Sequence, residues 1–62
     1  MDNNIQDIHI INIMNNKEKI VIRNILVVGI TFKHSLIEIE YATTKEYKTL
    51  VVEKKFNRLV ID

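Results

Sequence analysis

The chain has 62 residues, 47% of them hydrophobic and 27% charged, with net charge +1, one Gly and no Pro, Cys or Trp. That is one small domain, residues 1–62, without disulfides or a Cys-based zinc site. It is too rich in Ile and Val to be disordered, and too near neutral for a DNA mimic or a polybasic binder.

Ile occurs 12 times, Val 6 and Thr 4, against one Ala and four Leu. Branching at Cβ restricts χ1 in a helix and packs well on a pleated sheet, so the composition predicts strands almost throughout. The surplus of Ile, Asn and Lys is what an AT-rich genome encodes, which suits a low-GC bacterium or its phage. No apolar run approaches the roughly 18 residues of a membrane helix. No basic-then-apolar leader is visible, so a cytoplasmic protein without membrane contact is expected.

Taken along the chain, five apolar runs alternate with polar clusters. The predicted strands are about 5–14, 19–32, 36–42, 47–53 and 56–61. The intervening turns are Asn15-Asn16-Lys17-Glu18, Lys33-His34-Ser35, Thr43-Thr44-Lys45-Glu46 and Lys54-Lys55. This spacing predicts an all-β domain, either a five-stranded antiparallel meander or a small SH3-like or Sm-like barrel. The second run is long for a strand and is expected to bend at Asn24 or at Gly29. The weaker alternative is α+β, with a helix at about 44–60 behind the capping box Thr43-x-x-Glu46. In that helix Tyr47, Leu50 and Val51 would point away from Val52, Phe56, Leu59 and Val60, so no single apolar stripe forms.

Side chains alternate along a strand, and hairpins at the four turns place one set on one face. That set, the expected core, is Ile11, Ile13, Ile20, Ile22, Leu26, Val28, Ile30, Phe32, Ile37, Ile39, Tyr41, Leu50, Val52, Leu59 and Ile61. The opposite face carries Ile8, Ile10, Val21, Ile25, Val27, Val51, Phe56 and Val60, beside Arg23, Glu38, Glu40 and Arg58. A solvated face should be more polar than this. One explanation is a phase shift between Ile10 and Ile11 in a twisted barrel, which would return some of these residues to the core. The other is a self-association or partner surface. So small a domain, without metal or disulfide, gains most readily from oligomerisation, and a homodimer or higher oligomer is expected. On that reading Val27→Asp gives a folded monomer, whereas Ile39→Asp prevents folding.

Catalytic material is sparse. His9 and His34 are the only histidines and Ser35 the only serine, and no carboxylate cluster accompanies them. Glu38 and Glu40 share a strand face, which is the usual pattern of a solvated side. One Gly cannot build a phosphate-cradling loop. No enzyme activity, metal or cofactor is expected.

The basic residues Arg23, Lys33, His34, Lys54, Lys55 and Arg58 are candidates for contact with an anion or nucleic acid. In a meander the Lys33-His34-Ser35 and Lys54-Lys55 turns fall at the same end, with Arg58 extending it and Asn15–Glu18 at the other. Tyr47 and Phe56 are the aromatics left to stack on bases. Three functions follow. The first is a non-enzymatic protein-binding module, such as a phage or mobile-element accessory protein that inhibits or adapts a host or defence protein. The second is a nucleic-acid binder, and the third a sponge that encloses a nucleotide between subunits.

Overall fold

The structure, a computed structural model, describes residues 5–62. They form five strands: β1 (Ile5–Asn12), β2 (Lys17–Phe32), β3 (Leu36–Ala42), β4 (Tyr47–Glu53) and β5 (Asn57–Ile61). All pair antiparallel in one sheet, in the order β4-β3-β2-β1-β5. The expected strands and turns are therefore in place. Residues 44–60 hold β4 and β5 where the alternative reading put a helix. The Thr43 side chain does cap, but it caps a hairpin: its Oγ1 accepts the Lys45 and Glu46 amides at 3.1 and 3.0 Å. Among the described residues no helix is long and apolar enough to cross a membrane.

The order is not that of a meander. β5 leaves β4 and pairs with β1, setting Ile8 opposite Ile61 and Ile10 opposite Leu59. The expected partners Leu50–Leu59 and Lys48–Ile61 are not formed. The two turns that precede β4 and β3 behave as the period of two requires, with Ile39 facing both Ile30 and Leu50 and Ile37 facing both Phe32 and Val52.

β2 organises the domain. A straight strand of 16 residues would span roughly 50 Å, yet the longest axis of the described residues is 37 Å. The strand bends, so that its first half pairs with β1 and its second with β3, Leu26 touching both. Register shifts mark the bends. Lys19 is extra between Ile10↔Ile20 and Ile11↔Glu18, Arg23 and Asn24 together oppose Asp7, and Val28 is extra between Val27↔Tyr41 and Gly29↔Glu40. A bulge adds one unpaired residue, sharpens the local twist and reverses which side chains face inward. Among the described residues, Asn24 is one of two non-glycine residues at positive φ, at 58°. The bend was expected at Asn24 or Gly29, and both regions contribute.

These reversals relocate the core. Along β2 the inward residues are Ile20 and Ile22, then Ile25 and Val27; past Val28, Ile30 and Phe32 stand opposite Ile39 and Ile37 but remain exposed. Ile8, Ile10, Ile25, Ile37, Ile39, Tyr41 and Val52 are buried in one cluster, with Ile20, Ile22, Val27, Leu50, Leu59 and Ile61 packed against it. Residues of β1 and β5 thus share a core with residues of β3 and β4, because the bent sheet closes over itself. Three residues expected on a partner face, Ile8, Ile10 and Ile25, are core residues instead. Conversely Ile13, Leu26, Val28, Ile30 and Phe32, expected in the core, are exposed. Val27 packs on the core opposite Tyr41, so it is not the interface position that the unbroken alternation suggested.

Candidate nucleic-acid interface

The turn between β2 and β3 is closed by the Lys33 amide, which donates to the Leu36 carbonyl at 2.8 Å. The turn between β4 and β5 docks on it. The Lys54 amide donates to the Ser35 carbonyl at 3.0 Å, and Lys54 Nζ donates to the Lys33 carbonyl at 3.4 Å. The two basic turns therefore lie together, as their spacing implied. The cause differs from the meander argument, since the chain passes from this contact into β5 beside β1.

That crossing brings a third turn to the same place. The Ile13 amide donates to the Phe56 carbonyl at 2.9 Å, so the β1–β2 turn lies beside the β4–β5 turn and not at a remote end. Arg58 follows the same neighbour: its Nη2 donates to Asn16 Oδ1 at 3.1 Å. Arg23 is elsewhere, paired with Asp7 at 3.3 Å.

Two phenylalanines emerge at this end. Phe32 is 62% exposed and Phe56 41%. Lys54 Nζ lies 5.9 Å from the Phe32 ring centroid, and Lys55 Nζ 5.4 Å from that of Phe56. An ammonium within about 6 Å of a ring face is attracted by the ring quadrupole. Lys33 adds a third cation, paired with Glu38 at 3.0 Å, and His34 sits in the same exposed turn. Phe32 was missed in the sequence because it has the phase of a core residue. It ends β2 beyond the packed interior, and the register alone does not reveal where the packing stops.

Other chemistry is thin. Glu38 and Glu40 do face Thr31 and Thr49 respectively, but Glu38 is tied to Lys33 and Glu40 neighbours Tyr47. Desolvation of the Tyr47 hydroxyl, and then the Glu40 carboxylate that accepts its hydrogen bond, push that phenol above its usual range. His9 stands between Glu18 (Nδ1 to Oε2, 2.7 Å) and Asp62 (Nε2 to Oδ2, 3.1 Å), joining β1, β2 and the end of β5. No nucleophile accompanies these contacts. Among the described residues no three His, Asp or Glu side chains converge to hold a metal ion, and no pocket is enclosed.

Outside the sheet runs an apolar row. The registers align Ile5 with Leu26, Leu26 with Ala42 and Ala42 with Tyr47, across β1 to β4. Ile5, Leu26 and Tyr47 are exposed there, and Val28 and Val51 lie exposed nearby. Val21 and Val60 are half-buried. No protein-family model, curated protein or solved structure matches this chain.

Proposed function

We propose that this chain is a non-enzymatic binding domain that takes single-stranded nucleic acid on the end formed by Phe32, Phe56, Lys33, Lys54 and Lys55. The observation that carries this reading is the pair of exposed phenylalanines, each with a lysine ammonium at its ring. Unpaired bases stack on aromatic faces, while cations beside the rings meet the phosphates between them. The net charge of +1 gives no general attraction for polyanions, so the affinity rests on this local cluster. Three lysines engaging three phosphates would give a log–log salt slope of about −2 on single strands. Fluorescence anisotropy of a labelled oligothymidylate, titrated with salt, tests it. The expected result is binding at low salt with that slope, and stronger than for a duplex of equal length. Absence of binding at low salt overturns it.

A second reading is a protein-binding module, the inhibitor or adaptor of a host or defence protein, in a cytoplasmic phage or mobile-element setting. The apolar row through Leu26, Ala42 and Tyr47 supports it. It would replace the first reading if Leu26→Glu abolished capture of one defined protein by a chain that binds no oligonucleotide. A nucleotide sponge would need a cavity made between copies, because the described residues of one copy enclose none.

A further inference from the structure

Among the described residues the sheet order gives β4 one neighbour, β3. In an antiparallel ladder hydrogen-bonded pairs alternate with non-bonded ones. The Thr43 amide bonds the Glu46 carbonyl at 2.8 Å and the Lys54 amide bonds the Ser35 carbonyl at 3.0 Å. Those two contacts fix the alternation: Lys48, Leu50 and Val52 turn their backbone groups to β3. Tyr47, Thr49 and Val51 turn theirs to the open edge. An edge of that kind is a template for another strand. This edge has no Pro, Gly or bulge to blunt it, and it carries exposed apolar side chains, with Tyr47 58% and Val51 48% exposed.

We propose that β4 pairs with β4 of a second copy, antiparallel across a two-fold axis through Thr49. Charge and side-chain fit select this register. It places Tyr47 against Val51 of the second copy and Thr49 against Thr49, an aromatic with a β-branched partner and a threonine pair, both favourable across strands. At the ends it brings Lys45 beside Glu53 of the second copy. Centring the axis on Leu50 would set Lys45 against Lys55, and centring it on Val51 would set Lys48 against Lys54. Either alternative apposes like charges, which destabilises a pair. The chosen register joins two sheets into one of ten strands. The apolar rows that end at Tyr47 then meet at the centre. The phenylalanine end adjoins this edge, because Lys54 and Lys55 directly follow β4.

The chain has no cysteine, so a single introduced one reports a single contact. In the proposed register the two Thr49 Cα atoms lie about 5.5 Å apart, inside the range a disulfide spans. Thr49→Cys is expected to oxidise to a covalent dimer, while Val51→Cys, placed against Tyr47, stays monomeric on a denaturing gel. Cross-linking of Val51→Cys and not of Thr49→Cys would overturn the register. Sedimentation of the unmodified protein as a monomer at high micromolar concentration would overturn the pairing itself. Thr49→Pro removes only an outward amide and is expected to give a folded monomer with an unchanged far-ultraviolet spectrum. A folded dimer from Thr49→Pro would place the interface elsewhere.

Discussion

Asp7 holds the bend at Asn24. Its Oδ1 accepts the Asn24 amide at 3.0 Å, and Asn24 occupies the left-handed region at φ 58°. Oδ2 of the same carboxylate pairs with Arg23 at 3.3 Å. One side chain of β1 thus anchors both residues that it opposes on β2. Asn tolerates this conformation, Gly accepts it freely, and a β-branched residue does not. Asn24→Gly is expected to change stability by less than about 0.5 kcal/mol, while Asn24→Val costs about 1–2 kcal/mol. Asp7→Ala, which strips the acceptor from an amide in the bulge, costs about 1–2 kcal/mol. Urea denaturation of the three variants measures this.

The relocated core makes a second prediction. Ile10 is fully buried and Ile13 is exposed, although unbroken alternation ranks them the other way. Ile10→Ala should cost about 2–5 kcal/mol, enough to unfold most molecules of so small a domain. Ile13→Ala should stay within about 0.5 kcal/mol. Val27→Asp, against the core beside Tyr41, should unfold the chain and not merely dissociate it. Circular dichroism melts rank the three.

Tyr47 gives a test in alkali. Its phenol is held above the ordinary value by desolvation and by the Glu40 carboxylate. The folded state therefore keeps this proton to higher pH than the unfolded state does. The contribution is complete below the unfolded value near 10 and is lost as pH rises through the folded one. The stability difference between the wild type and Tyr47→Phe should shrink across that window. Glu40→Gln should lower the Tyr47 midpoint in a 13C titration of the ring.

The binding end predicts two distinguishable losses. Phe32→Ala removes a stacking surface and should weaken oligothymidylate binding by about 1–3 kcal/mol, with the salt slope unchanged. Lys55→Ala removes one phosphate contact and should reduce the slope by about 0.7. A slope insensitive to Lys55 would mean that the phosphates bind elsewhere.

Why some of this was legible and some was not comes down to β2. Turn clusters and period-two alternation place all five strands, and they give the Ile30–Ile39–Leu50 register, because nothing interrupts the ladder there. Asn24 and Gly29 mark two of the bends, but nothing in the composition shows that the bulges there, or the unmarked one at Lys19, reverse the faces. Ile8, Ile10 and Ile25 consequently read as surface, and Leu26 and Val28 as core. The partner of β5 was hidden for another reason. Lys54-Lys55 looks like a hairpin turn, and whether the chain folds back or crosses is decided by which apolar face lacks cover. That face belongs to β1, far away in sequence. At the binding end the lysines were identified by their turns, whereas Phe32 required knowing where the packed interior ends.

The β1–β5 pairing also sets an order of events. His9 and Asp62, tied together at 3.1 Å, stand 53 positions apart. Hairpins β2–β3 and β3–β4 form between neighbours in sequence, but β1 gains its second flank only from residues 57–61. During translation Ile8 and Ile10 therefore stay half-covered until that strand has left the ribosome. Pairings of such long separation are slow, and the late closure leaves this apolar pair open to chaperones and proteases until β5 docks.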